Sequence, residues 1–439
     1  MLASKSRLNA YILTFNCARN TIDTHTFASH LFDGLSKDST SVHYPEILVL
    51  SLQEIAPIAY AFLGGPFLEW YIDAFRLAVD LASPEDQRYQ NVITKNIGMT
   101  AIMVFVRDDV VDRIAWTETA EVGVGVHQAG DQGAVGVRIG YRADFEDENQ
   151  LTLTFVSSHL APDETGIERR NQDWKDICQR LVFTCSDITG NPGCPERRQY
   201  DEEGTPLLPN SPGATGTCGM YSPGSYLFVA GDLNYRTSYR GPEPSDITAF
   251  PQPTEDTGNR SHYIHLLAHD QLTRELRANK TMHHLSEQPI TFPPSYKYSH
   301  EARESSLLHP AEGFKWAKNR WPSWCDRVLY LDNPSPGDES RKVKAHHYGI
   351  LPLFATSDHR PVVLSFSVPL QAESTSPISV VPPPFEIDPE WQSKRSLARK
   401  KELTVGAVSY LTLTWEGNSL ILATILAVAA GYFTLYGLE

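Results

Sequence analysis

Short apolar runs recur along the first 370 residues and are separated by polar or turn-forming residues. Their length and their β-branched and aromatic content are typical of strands. These runs are residues 11–15, 47–52, 101–106, 133–141, 151–157, 226–230, 328–331 and 361–366, with helical periodicity at 60–82 and 168–187. Because several strands follow one another with no helix between them, the pattern predicts an α/β fold with a mixed or antiparallel sheet system.

The chain is predicted to contain one large domain, a linker and a tail. All of the predicted strands fall within residues 1–370, where the Pro-, Gly- and charge-rich stretch 190–224 predicts a surface insertion. Residues 371–402 begin Pro/Ser-rich and end basic, which predicts a linker whose Pro/Ser-rich part, up to about residue 391, is extended and semi-rigid. Residues 403–439 are expected to form a membrane-associated tail.

The tail contains the longest uncharged apolar stretch, residues 419–438. About 20 apolar residues cross a bilayer core as a helix, and Trp415, Tyr432 and Tyr436 suit the membrane interface. The alternative is a buried helix of the soluble domain, which is disfavoured because the stretch has no polar stripe. We therefore expect a transmembrane helix at about 419–438, while residues 403–413 either extend it or lie on the membrane surface.

The charges around this stretch predict how it is oriented. The basic residues lie upstream of it, at Lys394, Arg395, Arg399, Lys400 and Lys401. Such residues mark the cytosolic side of a membrane helix, so we expect a tail anchor that carries a cytosolic domain. A short, moderately apolar span suits the thinner bilayer of the endoplasmic reticulum, with the mitochondrial outer membrane as the alternative.

Net charge and cysteine content narrow the classes of function. The net charge of −15 argues against nucleic acid as a partner, and any phosphate pocket needs a local cluster of cations. None of the six cysteines forms a CxxC pair, so a zinc site is not expected. The N-terminus does not match a secretory signal peptide, which predicts reduced cytosolic thiols, with a Cys194–Cys218 bridge as the alternative.

Polar residues stand at the ends of the predicted strands, where a sheet edge commonly opens into a site. They are Asn16, Glu54, His159, Asp232 with Asn234, and Asp358 with His359. Each alone has a structural explanation, such as a helix cap or a turn, but their number favours one shared site. Carboxylate, amide and imidazole groups without thiolates suit Mg²⁺, and such a set can support in-line hydrolysis of a phosphate ester.

A series of motifs connects these residues. After Asn16 come LQE at 52–54, SHLAP at 158–162, ERRNQD at 168–173, GDLNYR at 231–236, PSWCDRVL at 322–329 and SDHRPV at 357–362. This order, over about residues 11–368, resembles the inositol polyphosphate 5-phosphatases of the endonuclease/exonuclease/phosphatase superfamily. The resemblance implies a DNase I-like fold, a four-layer α/β/β/α sandwich of two mixed β-sheets. The tail is similar to that of fungal tail-anchored 5-phosphatases.

The resemblance also implies a role for each position of the metal and water site. Glu54 corresponds to the main Mg²⁺ ligand, with Asn16 beside it and Asp358 as an accessory metal or water ligand. Asp232 corresponds to the residue that orients and deprotonates the attacking water, with Asn234 next to it.

Two histidines are expected to bind phosphate. His359 resembles the family histidine that binds the scissile phosphate, and Asp326 resembles the carboxylate that fixes its tautomer. His159 resembles a second phosphate contact.

Basic residues near these motifs are the expected contacts to a neighbouring phosphate of the inositol ring. The substrate-binding set comprises Tyr296, Lys297, Lys318, Arg320 and Arg327, of which Lys318 is equally well explained as a surface lysine. One departure concerns Asp131 and Gln132, which replace the usual family Asn and Lys and remove one expected cation. Its effect on affinity and selectivity stays open.

The function implied is a Mg²⁺-dependent phosphoinositide 5-phosphatase. It would act on phosphatidylinositol 4,5-bisphosphate in the membrane, give phosphatidylinositol 4-phosphate by attack of an activated water, and work as a monomer. The alternatives are another phosphodiesterase of the superfamily, either sphingomyelinase-like or nuclease-like, and a membrane-tethered scaffold without activity. Other phosphoinositides, the 3,5-bisphosphate and the 3,4,5-trisphosphate, are not distinguished.

Overall fold

The structure is a computed structural model, and it describes residues 6–35, 44–125, 132–143, 150–185, 219–306, 315–334, 339–370 and 381–436. The strands are β1 (Arg7–Asn16), β2 (Ile47–Gln53), β3 (Tyr89–Ile97), β4 (Thr100–Arg107), β5 (Ile114–Val124), β6 (Gln132–Arg142), β7 (Gln150–His159), β8 (Thr184–Cys185), β9 (Tyr226–Asp232), β10 (Asp326–Tyr330), β11 (Lys344–Ile350) and β12 (Val362–Pro369). The α-helices are α1 (Thr24–His30), α2 (Ile58–Leu63), α3 (Pro66–Ala82), α4 (Ile167–Arg180), α5 (Tyr263–Leu267), α6 (Gln271–Arg277), α7 (His300–Ser306), α8 (Trp391–Leu413) and α9 (Trp415–Tyr436). Short 3₁₀ helices span Asp108–Arg113, Asp246–Ala249 and Glu339–Arg341.

The strands form two six-stranded sheets. The first has the order β11-β12-β1-β2-β4-β3 and the second β10-β9-β7-β6-β5-β8. One pair in each sheet is parallel, β1 with β2 and β7 with β9, and the other pairs are antiparallel. This confirms the prediction of two mixed sheets.

Helices cover the outer faces of the two sheets, and the inner faces pack on each other. The Phe228 ring of the second sheet stacks on Phe366 of the first, with centroids 4.2 Å apart. Phe27 of α1 and Phe75 of α3 cover the outside of the first sheet, and Trp174 of α4 covers the outside of the second. Buried apolar area on both sides of a sheet is the main stabilising contribution in such a layered fold. The four-layer prediction is therefore confirmed.

The helix expected at 60–82 is two helices, α2 and α3. Gly64 and Gly65 lie between them with φ of +67° and +54°. Backbone with positive φ ends a helix and is readily adopted by glycine, so the chain changes direction after Leu63.

The region after the domain differs from the linker predicted at 371–402. Residues 371–380 lie outside the described residues, but α8 begins at Trp391 and packs on the domain through Ala398, Glu402 and Gly406, which are buried. These residues are spaced four apart, so they share one face of the helix. Residues 391–402, assigned to the basic part of the linker, are thus helical with one face held against α2, whereas the extended conformation is predicted only up to about residue 391.

The C-terminal helix α9 covers most of the span predicted at 419–438. Within the described part of the chain it is the one helix long and apolar enough to cross a membrane, with a mean hydropathy of 1.8 over its best window. Large apolar side chains such as Leu426 and Phe433 are exposed along it. The proposed Cys194–Cys218 bridge and most of the insertion at 190–224 lie outside the described residues.

Candidate active site

Three of the predicted site residues lie side by side at one end of the second sheet. Asp232 is the last residue of β9, and it pairs with His159 at the end of the parallel strand β7 and with Asp326 at the start of β10. Their side chains share this end because paired residues across neighbouring strands point to the same face. The preceding Gly231 has φ of +157°, and a Cβ there would lie 1.8 Å from the carbonyl oxygen of Ser158. Only glycine therefore allows β9 to approach β7 this closely.

The Asp232 carboxylate is buried and surrounded by donors. Asn16 Nδ2 donates to Asp232 Oδ2 at 2.9 Å, and the Nε2 atoms of His159 and His359 lie 3.7 Å and 3.9 Å from the same oxygen. Burial raises the pKa of Asp232, but the charges of His359, His159 and Arg236 and the bond from Asn16 outweigh it, so the pKa lies below its ordinary value. Asp232 is therefore ionised at neutral pH.

A second buried pair consists of His359 and Asp326. His359 Nδ1 lies 2.9 Å from Asp326 Oδ2, which also accepts a hydrogen bond from Ser295 Oγ at 2.7 Å. Burial lowers the pKa of His359, but the negative charges of Asp326, Asp232 and Asp358 raise it by more. The net pKa is about 9. The ring is thus a cation at neutral pH, with Nδ1 held by Asp326 and Nε2 directed towards Asp232.

Burial also raises the pKa of Asp326, against the opposing charge of His359. The net direction is upward because the carboxyl is fully enclosed. Asp326 Oδ1 has no hydrogen-bond partner among the described residues, so this carboxyl is held on one oxygen.

The SDH motif links the end of β1 to His359, which in turn bonds Asp326 of the second sheet. Ser357 Oγ donates to the carbonyl oxygen of Asn16 at 2.6 Å and accepts from the backbone N–H of His359 at 3.0 Å. The residue at the end of β1 is thereby linked directly to His359. Residues from distant parts of the chain do share one site, as the sequence predicts.

Of the three residues predicted as metal ligands, one contacts the Asp232 carboxylate, and the other two are located by their neighbours in the chain. Asn16 contacts it, Glu54 follows the β2 residue that pairs with Asn16, and Asp358 precedes His359. Glu54 has φ of +45°, which is uncommon for a non-glycine residue and is found at functional sites. Its carboxylate forms an ion pair with Arg19 at 2.8 Å.

This donor set fits a hard divalent cation. Glu54 and Asp358 offer carboxylate oxygens and Asn16 an amide oxygen, which are the ligands that Mg²⁺ and Ca²⁺ prefer. The ligand atoms of Asp232, Asp326 and His359 also lie within 4.8 Å of one another. Because Asp326 and His359 already bond each other, this tighter group belongs to the hydrogen-bonded network.

Tyr296 and Lys297 lie at the edge of the site. The Tyr296 ring packs on the His359 ring, with centroids 4.4 Å apart. Lys297 Nζ lies 3.4 Å from Asp358 Oδ2, and the Lys297 side chain is partly exposed. This lysine can therefore reach an anionic group bound next to His359.

The other predicted substrate contacts are placed differently. Arg320 pairs with Asp163 and Glu164, at 2.5 Å and 2.7 Å, in the segment after His159. Lys318 is exposed, and no contact among the described residues places it at the site.

The prediction for Arg327 is wrong. Arg327 follows Asp326 in β10, and successive strand residues point to opposite faces. Its guanidinium is fully buried and binds Asp270 at 3.0 Å and Glu287 at 2.5 Å. It is a structural residue that ties β10 to the start of α6.

Some residues of the site are missing from the sequence prediction. Arg236 is buried, donates to the Asn234 carbonyl at 3.0 Å, and has its guanidinium 4.6 Å from the centre of the Tyr296 ring. It holds Asn234, which has φ of +57° and whose N–H donates to Asp232 Oδ1 at 3.1 Å. Ser295 and Ser357 orient the His359 pair. All three lie within or beside the motifs, next to the charged residues that the sequence predicts for the site.

The departure at Asp131 and Gln132 falls at the start of β6. Asp131 lies outside the described residues, while Gln132 pairs with Val124. The next residue, Gly133, pairs with His159, so this replacement lies close to a predicted phosphate contact.

The chain is similar to known phosphatases in sequence and in fold. The model of endonuclease/exonuclease/phosphatase family 2 matches residues 13–365. Among curated relatives, phosphatidylinositol 3,4,5-trisphosphate 5-phosphatase 2A of Danio rerio is 27% identical over 301 residues, which is 68% of this chain and 20% of the relative. Type II inositol polyphosphate 5-phosphatase 15 of Arabidopsis thaliana is 27% identical over 346 residues, which is 74% of this chain and 29% of the relative.

Among solved structures, the inositol polyphosphate 5-phosphatase domain of SPsynaptojanin, in complex with inositol (1,4)-bisphosphate and calcium ion, matches with a TM-score of 0.56 at 21% identity. The match covers 91% of this chain and 90% of that domain, and it confirms the DNase I-like fold. The chain thus spans less than a third of the length of the two full-length relatives and nearly all of the solved domain. The chain belongs to the endonuclease/exonuclease/phosphatase family, and within it resembles the inositol polyphosphate 5-phosphatases.

Proposed function

We propose that the protein is a Mg²⁺-dependent phosphoinositide 5-phosphatase that converts phosphatidylinositol 4,5-bisphosphate into phosphatidylinositol 4-phosphate. The observation that carries this is the ionised, buried Asp232 between Asn16 and two histidines, with the His359 cation held by Asp326. A fixed anion beside a fixed cation can orient a water towards a phosphoryl group and stabilise the charge that develops on it. The relatives named above are 5-phosphatases.

In this proposal the chain's residues act on one phosphate ester. Asp232 accepts a hydrogen bond and then a proton from the water, which attacks phosphorus opposite the inositol oxygen. The bond from phosphorus to that oxygen breaks, the oxygen takes a proton from water and leaves as an inositol hydroxyl, and Asp232 returns its proton to the solvent. His359 and His159 donate hydrogen bonds to the phosphoryl oxygens, and Asn234 keeps Asp232 in place.

The cation would be held by Glu54, Asn16 and Asp358. When bound it supplies positive charge that neutralises the phosphate and its transition state. The Arg19 pairing of Glu54 shows that this carboxylate readily accepts a positive partner.

Selectivity for a bisphosphate would come from Lys297 and its surroundings. The ammonium lies beside His359 across Asp358, where a second phosphate of the same ring would be close. Arg320 is already neutralised by Asp163 and Glu164. We therefore assign it a weaker contribution to substrate binding than Lys297.

The tail would keep the domain at its lipid substrate. We propose that α9 spans the membrane as a tail anchor with the domain in the cytosol, in the endoplasmic reticulum, and that the protein acts as a monomer. Confinement to a membrane raises the effective concentration of a lipid substrate around the enzyme. An enzyme for a soluble inositol phosphate would gain nothing from such an anchor.

The test is phosphate release by the full chain in vesicles. Wild type is compared with Asp232→Asn on matched lipids: the 4,5-bisphosphate, the 3,5-bisphosphate, the 3,4,5-trisphosphate and sphingomyelin. The proposal predicts release from the 4,5-bisphosphate that stops with EDTA, returns with Mg²⁺, and is lost in the variant. Turnover of sphingomyelin or a polynucleotide instead would favour another superfamily activity, and a folded protein without any turnover would favour a scaffold.

A further inference from the structure

Helix α3 carries a second apolar stripe that faces outward. Its buried face is formed by Leu68, Ile72, Phe75 and Val79. Phe67, Trp70, Ala74, Leu77 and Leu81 follow a spacing of three and four residues on a different face. Trp70 is 74% exposed and Leu77 is 50% exposed. Phe67 and Leu81 are also exposed and Ala74 is half-buried. An apolar helix face that is mostly exposed indicates a contact surface.

This stripe adjoins the tail. The Phe67 ring lies 5.2 Å from the Tyr410 ring of α8, in an edge-on contact. Leu413 ends α8 and Trp415 begins α9, and both are about three-quarters exposed. The apolar surface therefore continues from α3 across the end of α8 to the start of the apolar helix.

Helix α8 is held firmly on the domain. Arg399 donates to the carbonyl oxygens of Phe62 and Leu63, at 3.1 Å and 3.4 Å, and these are the free carbonyls at the end of α2. Arg395 binds Glu121 at 2.8 Å, and Lys95 binds the same carboxylate at 2.9 Å. These contacts order the helix at several points along its first half.

The second half of α8 is packed by a glycine. A Cβ at Gly406 would lie 2.9 Å from Phe62 Cβ and 3.1 Å from Leu63 N, so the two helices touch at this point. The first turn of α9 also contacts α2, because Tyr60 Oη donates to Glu416 Oε2 at 3.4 Å. The start of α9 therefore lies against α2.

We propose that α8 forms a rigid connection between the catalytic domain and α9. This connection, which we call the strut, places the exposed stripe of α3 in the headgroup region of the bilayer that α9 enters. The bilayer surface is then a binding partner of the catalytic domain itself, in addition to the span. This inference rests on the proposed membrane anchoring of α9. Aromatic residues such as Trp70 and Trp415 favour the interface between water and lipid.

The charges beside the stripe favour neutral lipid over an anionic surface. Arg76 lies next to the stripe and pairs with Glu69 and with Asp73, the latter at 2.9 Å. Asp80 pairs with Arg88 at 2.9 Å. With its cations neutralised, this face gains little from anionic lipid, so burial of the apolar side chains provides the attraction.

The first experiment measures where Trp70 lies. Full chain is reconstituted into phosphatidylcholine vesicles with or without brominated acyl chains, and tryptophan quenching is compared between wild type and Trp70→Phe. We expect the quenched fraction to fall in the variant, because Trp70 contributes to it. An identical quenched fraction in the two proteins would overturn the proposal.

The second experiment measures what the stripe does for turnover. In the double variant Trp70→Glu/Leu77→Glu, the rate on bisphosphate lipid in vesicles should fall about tenfold, because two carboxylates prevent burial of the stripe in the membrane interface. Its rate on a short-chain, water-soluble lipid and its pelleting with vesicles should match wild type. Ile264→Glu, which changes an exposed isoleucine of α5, is the matched control and should leave both rates unchanged.

The strut is tested separately with two glycines. Gly406→Leu should release α8 and lower both the Trp70 quenching and the rate on vesicles, whereas Gly431→Leu should not, because a Cβ there meets nothing within 4 Å. Wild-type behaviour of Gly406→Leu would overturn the strut.

Two other outcomes separate the explanations. A wild-type dimer in detergent that Trp70→Glu/Leu77→Glu converts into a monomer would overturn the proposal in favour of a second copy on the stripe. If wild type turned over neither substrate, the phosphatase proposal would fail, and the quenching comparison would still support or overturn the bilayer contact.

Discussion

His359 Nδ1 lies 2.9 Å from Asp326 Oδ2, and both side chains are buried. The carboxylate fixes which ring nitrogen faces the site and keeps the ring protonated. His359 can therefore present Nε2–H to a phosphoryl oxygen without reorientation.

Replacing the carboxylate of this pair should reduce catalysis while the fold persists. Asp326→Asn keeps the shape and loses the charge, so we expect kcat to fall by about 10²–10⁴-fold, the range for a positioned proton donor. Phosphate release from a water-soluble bisphosphate lipid measures this, with the melting temperature as the control for folding. An unchanged kcat would show that the pair has no part in the reaction.

Arg327 should act on stability and not on substrate binding. Removing one partner of a buried ion pair costs about 3–5 kcal/mol, so Arg327→Met should lower the free energy of unfolding by that order. The control Arg88→Met removes the exposed ion pair with Asp80 and should cost about 1 kcal/mol or less. Denaturant titration of both variants decides this, and equal losses would contradict the account.

Lys297 should act on substrate binding and not on stability. Lys297→Met removes one charge-assisted hydrogen bond, worth about 1.5–3 kcal/mol, which predicts a rise in KM of about tenfold or more with little change in kcat. Lys315→Met is the matched control, because its exposed ammonium pairs with Glu301 at 4.0 Å. A loss of kcat with constant KM would place Lys297 in a different role.

Gly231 should tolerate no side chain. Gly231→Ala would put Cβ 1.8 Å from the carbonyl oxygen of Ser158, so the strands must separate, and a loss of about 3 kcal/mol or more is expected. Gly241→Ala, where a Cβ meets nothing within 4 Å, should change stability by about 0.5 kcal/mol at most. Comparable melting temperatures for the two variants would show that β7 and β9 can adjust.

The central strands could be predicted from the sequence because they are buried on both faces. β2 and β9 are buried throughout and begin with the uniformly apolar runs 47–50 and 226–230, which are clear without knowledge of their neighbours. β5 was missed because its buried face includes Glu118, which is neutralised by Arg138 of β6 at 3.2 Å. A partner 20 residues away in the chain cannot be inferred from a local pattern. β11 was missed because it is an edge strand with exposed polar residues.

The sequence predicts the acidic and histidine side chains of the site well, and its lysine and arginine side chains less well. Asp232, Asp326 and His359 stand at strand ends within motifs, and the structure brings them together. Arg327 was misplaced although the alternation in DRVLY already puts it on the face opposite Asp326. The sequence places residues 391–402 of α8 in the linker and 403–413 in the tail, because the docking face contains Glu402 and Gly406, which a local pattern does not mark as buried.

The most direct test of the central claim is a single turnover in water enriched in oxygen-18. The full chain, with Mg²⁺ and the 4,5-bisphosphate lipid, should release phosphate that carries one labelled oxygen, and leave phosphatidylinositol 4-phosphate without label. That result is expected if a water oriented by Asp232 attacks phosphorus. Label in the inositol hydroxyl, or removal of the 4-phosphate instead, would contradict the account.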